Sequence, residues 1–163
     1  MTLYLLDANV LIRAHEDYYP VDRIQPFWIW LLEMAEANVI KTPRVIFDEV
    51  TPPPGPFADW VARRDVRDRL VLAETIPISR VRHVLEHGYA PDLSDVEIDE
   101  IGKDPFLVAA AMVAPDRVVV TVEVSAPKKQ RQNRKLPDVC NTFDVPTMNP
   151  FELYRRLNFS IPL

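Results

Sequence analysis

The run RVVVTVEV, Arg117 to Val124, constrains the fold more than any other stretch. Val118 to Val120 is continuously apolar, without the alternation of a half-exposed strand, and such a run belongs to a parallel sheet covered by helices on both faces. The opening TLYLL has the same character, and NVLIRAHEDYY behind it has the 3-to-4 spacing of a helix through Val10, Ile12 and Ala14. Further strands are expected at Val39–Ile40 and in DVPTM. Helices are expected over Val21–Ala37, in RVIFDEV after Pro43, and in KDPFLVAAAMVA, PDVCNTF and PFELYRRL. This alternation predicts an α/β protein, a three-layer α/β/α sandwich around a mainly parallel central sheet. Residues 1–163 suit one domain, with a mostly helical, Pro-rich and acidic segment at 51–102 that shows no repeat.

Hydrophobic residues at 48% and charged residues at 26% suit a packed core rather than a disordered chain. The formal net charge of −5 argues against a uniformly basic nucleic-acid binder. It leaves room for an enzyme that meets a polyanion through bound dications. A single cysteine, Cys140, rules out an intramolecular disulfide framework and a four-cysteine zinc site, and fits a reducing cytoplasm. No basic segment precedes the first apolar residues, so no signal peptide is expected. The richest apolar run, FWIWLL, stops at Glu33, far short of the roughly 20 residues of a membrane span. His83 and His87 lie four apart but lack the glutamate of a zinc-protease helix.

Asp7 interrupts YLLDANVLI at the switch from the first strand to its helix, where an unpaired carboxylate would cost several kcal/mol. Glu123 lies near the end of the Val-rich strand, Asp104 opens the helix leading into it, and Glu49 lies on the helix after the second strand. Ligands of parallel sheets gather at the carboxyl ends of the strands, so these four acids are expected to converge. Such a cluster repels itself unless protonated or bridged by hard cations, and an all-oxygen site favours Mg²⁺ or Mn²⁺. Each acid also has a plainer role open to it. Asp104 before Pro105, or Asp7 before Asn9, would serve as a helix N-cap; Glu49, with Asp48 as its rival, could lie on a solvated helix face; and Glu123 could be exposed after the strand.

YLLDANVLI, VIFDEV, KDPFLVAAA and VVTVEV, in that order, resemble the motifs of the PIN-domain ribonucleases, the family that includes VapC-type toxins. The resemblance covers most of the chain. It implies a PIN-like fold and a Mg²⁺- or Mn²⁺-dependent endoribonuclease whose metal ligands and catalytic acids are Asp7, Glu49, Asp104 and Glu123, with Asn9 and Thr121 in support. It also implies an RNA substrate and an antitoxin partner in a type II toxin–antitoxin pair. The chain departs from the pattern twice: the 51–102 segment is long, and the fourth acid, often aspartate, is here Glu123, with Asp138 and Asp144 as alternatives.

The loop KKQRQNRK carries five cations, Lys128, Lys129, Arg131, Arg134 and Lys135, which suit contacts to an RNA backbone or, equally, a solvated loop. Trp28, Trp30 and Trp60 with their apolar neighbours exceed what a small core hides and suggest a homodimer or another protein partner. Two rival functions remain open from the sequence. One is a non-catalytic PIN-like module that binds RNA or protein. The other is a phosphatase with a nucleophilic aspartate at Asp7, which Asn9 disfavours because that chemistry expects an acid two residues on.

Overall fold

A computed structural model describes residues 1–162. Five parallel strands form one sheet: β1 (Leu3–Leu6), β2 (Ile40–Pro43), β3 (Val71–Leu72), β4 (Arg117–Val120) and β5 (Thr147–Met148), in the spatial order β3-β2-β1-β4-β5. Helices flank the sheet, as the Val-rich run requires. β1 lies at the centre, with Tyr4 opposite Ile40 on one side and Val118 on the other. Leu5, Val119 and Val120 are fully buried.

The helices follow local chemistry. α1 (Ala8–Arg13) begins directly after Asp7 and runs into a π-helical turn at Ala14–Tyr18. α2 (Gln25–Glu36) starts later than the apolar spacing predicts. Residues 21–23 form a turn, and Pro26, with no N–H to donate, sits in the first helical turn. The helix buries Phe27, Trp28, Leu31, Leu32 and Ala35 and is followed by Asn38 at φ 59°, a left-handed position that asparagine tolerates. α3 (Arg44–Phe47) is a single turn that ends well before the proline run beginning at Pro52. Glu49 therefore lies in the turn behind α3 rather than on it, its N–H donating to Ile46 O at 3.1 Å.

The 51–102 segment contains α4 (Pro56–Ala62), α5 (Arg64–Leu70), α6 (Ile78–Val84), a π-helical turn at Leu85–Tyr89 and α7 (Asp95–Ile101), as its helical composition predicts. It also supplies β3, an edge strand of two residues that is too short to show a period. α7 ends at Gly102, φ 72°, and α8 (Asp104–Ala111) follows with Pro105 in its first turn. α8 buries Leu107 to Ala111 on every side and packs on β2 and β4. At the start of β4 the buried Arg117 guanidinium holds Glu74 at 2.8 and 2.6 Å and the Ala110 carbonyl at 2.9 Å, tying the segment after β3 to the sheet.

β4 stops at Val120, short of the expected Val124, because the Thr121 hydroxyl accepts from Glu123 N at 3.1 Å and turns the chain out of the ladder. α9 (Leu136–Thr142) and α10 (Pro150–Arg156) complete the fold. The aromatic residues are absorbed by the core. Trp28 and Trp60 are buried with ring centroids 4.7 Å apart, the Trp28 indole donates to Tyr19 O at 2.6 Å, and Trp30 packs on Phe159 and Tyr154. The ground for expecting a homodimer from these residues is therefore removed. No helix among the described residues is long and apolar enough to cross a membrane.

Gly88 is where the 51–102 segment meets α9. A Cβ there would stand 2.8 Å from the Phe143 ring and 2.9 Å from Val139 Cγ1. Gly88→Ala is expected to destabilise the protein by about 1–3 kcal/mol through overpacking, read as a lower urea midpoint at unchanged slope.

Candidate active site

The strand order reverses beside β1, where the connections from β1 and β4 leave the sheet in opposite directions, and the carboxyl ends of strands at such a switch point are where parallel sheets place their ligand sites. Asp7 follows β1 directly and Thr121 follows β4. Their register is fixed by Leu6 opposite Val120 and by the Asp7 N–H donating to Val120 O at 2.9 Å. The Thr121 hydroxyl donates to Asp7 Oδ2 at 3.0 Å, and Ala8 N donates to Oδ1 at 2.8 Å. Asp7 thus caps α1 and ends β1 at the same time.

Burial lifts the Asp7 carboxyl above its ordinary range, the Thr121 and Ala8 hydrogen bonds oppose that, and the negative charge of Glu123 adds to it. Glu49 faces solvent from its turn. Partial desolvation and the Asp7 charge raise its carboxyl, against the pull of Lys103. Asp48, its rival, is taken by Arg67 at 3.0 Å.

Asp104 does not cap α8. Lys103 occupies the cap position, and no side chain bonds the helix end there. The Asp104 carboxyl instead lies half-buried among the other acids. Desolvation first, then the charges of Asp7, Glu123 and Glu49, push it up to about 8, with Lys135 pulling the other way. Glu123 is not an idle exposed group either; its Oε2 accepts from Leu136 N at 2.7 Å at the start of α9. Asp138 accepts from Ser125 Oγ and Ala126 N, and Asp144 sits exposed in a left-handed turn, so of the three alternatives only Glu123 joins the acidic group.

Four carboxylates from distant parts of the chain therefore interact electrostatically at one sheet edge. Among the described residues, no three His, Cys, Asp or Glu side chains form a group placed to hold a metal ion. The donor set is nonetheless all oxygen and dense in negative charge, which is the chemistry hard dications take. Asn9 is exposed on the first turn of α1. Buried Cys140 lies within reach of the acidic field, and burial together with Asp104, Asp7 and Glu123 raises its thiol to about 12. Tyr89, which sequence reasoning missed, is buried beside Asp104 with its phenol pushed further from ionisation. No motif marks it, because a π-helical turn brings it there.

Two of the five loop cations are engaged within the chain: Arg131 with Asp92 and Glu97, and Arg134 with the carbonyls of Gly88 and Asp138. Lys129 and Lys135 line a pocket of about 200 Å³ with Tyr89, Asp104, Glu123 and Gln132. On the other flank a groove of about 380 Å³ runs from Glu49 along the Pro-rich wall to Phe57 and His15.

These features define a class: an all-parallel α/β protein with an acidic edge at its topological switch point. The chain belongs to a family described as a domain of unknown function, DUF4411, whose family model matches residues 4–161. Neither the curated proteins nor the solved structures contain a match to it.

The raised Asp104 carboxyl makes a stability prediction. Its folded-state value, about 8, lies above the ordinary 3.8, so the native state holds this proton more tightly than the unfolded chain. Without added cation, stability should fall as pH rises from about 4 to about 8. Asp104→Asn should flatten that slope and gain on the order of 2 kcal/mol at pH 8. Urea unfolding in a chelator at several pH values measures both.

Proposed function

We propose that this protein is a PIN-like, metal-dependent ribonuclease that hydrolyses RNA phosphodiester bonds. The observation that supports this reading best is the gathering of Asp7, Glu49, Asp104 and Glu123 at the switch point of a parallel sheet, with Asp104 driven toward its protonated form by burial and then by the charges of the others. Mg²⁺ or Mn²⁺ would be held by these four carboxylates, and when bound such an ion neutralises them, lowers the pKa of a coordinated water and stabilises charge on the phosphate oxygens.

The chain's own residues prepare the site. Thr121 fixes the Asp7 carboxylate by a hydroxyl bond, and Leu136 N fixes that of Glu123. Lys103 and Lys135 offset part of the negative field at Glu49 and Asp104, where a phosphodiester would otherwise be repelled. The buried, neutral Tyr89 phenol helps exclude water from one flank. Action as the toxin of a type II pair, in the cytoplasm and against a cognate antitoxin protein, extends this proposal on the strength of the motif resemblance. A binding module that keeps the fold without catalysis is the second reading, favoured by the absence of a ready ligating group among the described residues.

Asp7→Asn separates the two. Asparagine preserves shape and still caps a helix, so the variant should fold. A catalytic Asp7 predicts that it loses most Mn²⁺-dependent cleavage of single-stranded RNA and the rise in melting temperature that Mn²⁺ gives the wild type by linkage. Wild-type cleavage with an unchanged Mn²⁺ shift would sink the ribonuclease reading at its first residue.

A further inference from the structure

The acidic helix α7 grips the basic loop. Glu97 and Arg131 meet in a two-pronged ion pair, Nε to Oε2 at 2.8 Å and Nη2 to Oε1 at 3.0 Å. Arg131 adds Nη1 to Asp92 Oδ1 at 2.8 Å and Nη2 to the Asp92 carbonyl at 3.3 Å. Glu97 is itself held by the capping box with Ser94, accepting from Ser94 N at 3.0 Å while its own N–H donates to Ser94 Oγ at 3.2 Å. Arg131 sits at φ 54°, a left-handed conformation that disfavours a residue with a Cβ by roughly 1–2 kcal/mol, so its side-chain bonds must hold the loop there. Downstream, Arg134 and the Leu136 N–H tie the loop to the Gly88 carbonyl and to Glu123.

Between these ties the loop overhangs the acids. The pocket so formed, about 200 Å³, sets Lys129, Gln132 and Lys135 against Glu100, Asp104 and Glu123. It is smaller than the roughly 300–1,000 Å³ of sites that enclose whole organic ligands. A space of that size between two cations and a carboxylate cluster suits one phosphate group of a chain that continues past it.

We infer that this pocket is a subsite for a substrate phosphate neighbouring the one to be cut, with Lys129 and Lys135 as its cations, and that Arg131 is a positioning residue that holds the loop over the acids through Glu97. The inference deepens the ribonuclease reading and rests on it. It gives the acidic helix a task opposite to its charge, since an acid on α7 promotes the binding of a polyanion.

That reversal supplies the test. Glu97→Gln keeps an oxygen for Ser94 N but removes the charged fork to Arg131. Electrostatics alone predicts tighter RNA binding after a negative charge is lost; the clamp predicts weaker binding. The probe is a short, 5′-labelled single-stranded oligoribonucleotide followed by fluorescence anisotropy in Ca²⁺ at several salt concentrations. Glu97→Gln and Arg131→Gln should each bind about tenfold or more weakly, the scale expected when a positioned contact loosens, with faster amide exchange across residues 128–135. Lys135→Ala should lower the salt slope by about 0.7. Unchanged or tighter binding by Glu97→Gln, or no binding by the wild type, overturns the inference. If Mn²⁺-dependent cleavage accompanies that result, the ribonuclease reading stands without the subsite. If instead Glu97→Gln weakens binding and the wild type cleaves nothing, the clamped loop stands as a phosphate contact, but its place beside a scissile phosphate falls with the ribonuclease reading.

Discussion

The burial of Asp7 at the end of β1 is the constraint on which the rest of the molecule turns. A desolvated carboxylate is tolerated there because Thr121 and the Ala8 amide each give it a hydrogen bond; the Ala8 amide is local to the helix start, whereas the Thr121 hydroxyl reaches Asp7 only when β1 and β4 are adjacent and in register. The same adjacency reverses the strand order and sets the switch point. Core packing, strand order and the acidic site are consequences of one pairing. A substitution that shifted the β1–β4 register by one residue would turn Asp7 to the other face and away from the Thr121 hydroxyl.

Charge in this protein is arranged by opposition. Burial, and then the repulsion of the neighbouring acids at the sheet edge, raises Asp104, while the surrounding cations are distributed between two tasks. Arg131 and Arg134 hold the backbone, and Lys103 and Lys135 temper the field. Arginine suits the first task because its planar fork binds carboxylates and carbonyls at several points, whereas lysine is a mobile point charge. A net negative chain can in this way present a local cationic edge beside a strongly anionic one.

Much of the architecture was legible because burial on both faces leaves a direct trace: Val118–Val120 and Leu3–Leu6 could be little else than central parallel strands. Of the two edge strands, two residues each, β5 lies within DVPTM, where a strand is expected, whereas β3 leaves no trace. The four acids were legible as interruptions of apolar sequence or as helix openings, but their local setting was not. Glu49 proved to lie in a turn, and Asp104 proved to cap nothing. The partners of Arg131 lie 34 and 39 residues upstream, and no reading of a charge run can foresee that. The tryptophans misled in the opposite direction, since a chain of ring contacts, stacked between Phe57 and Trp60 and edge-to-face from Trp60 through Trp28 to Phe27, absorbs more ring area than their spacing suggests.

The Asp7–Thr121 bond joins residues 114 positions apart. β1 can pair early with β2, but its other neighbour is the fourth strand, and closing so long a loop is slow as well as entropically costly. During synthesis, the first strand and its carboxylate must therefore wait, with one edge open, until most of the chain has emerged. Until then Asp7 lacks its hydroxyl donor, Glu123 has not yet been made, and the site does not exist. Whatever chemistry this edge performs is withheld from the nascent chain and becomes available only as one of the last steps of folding.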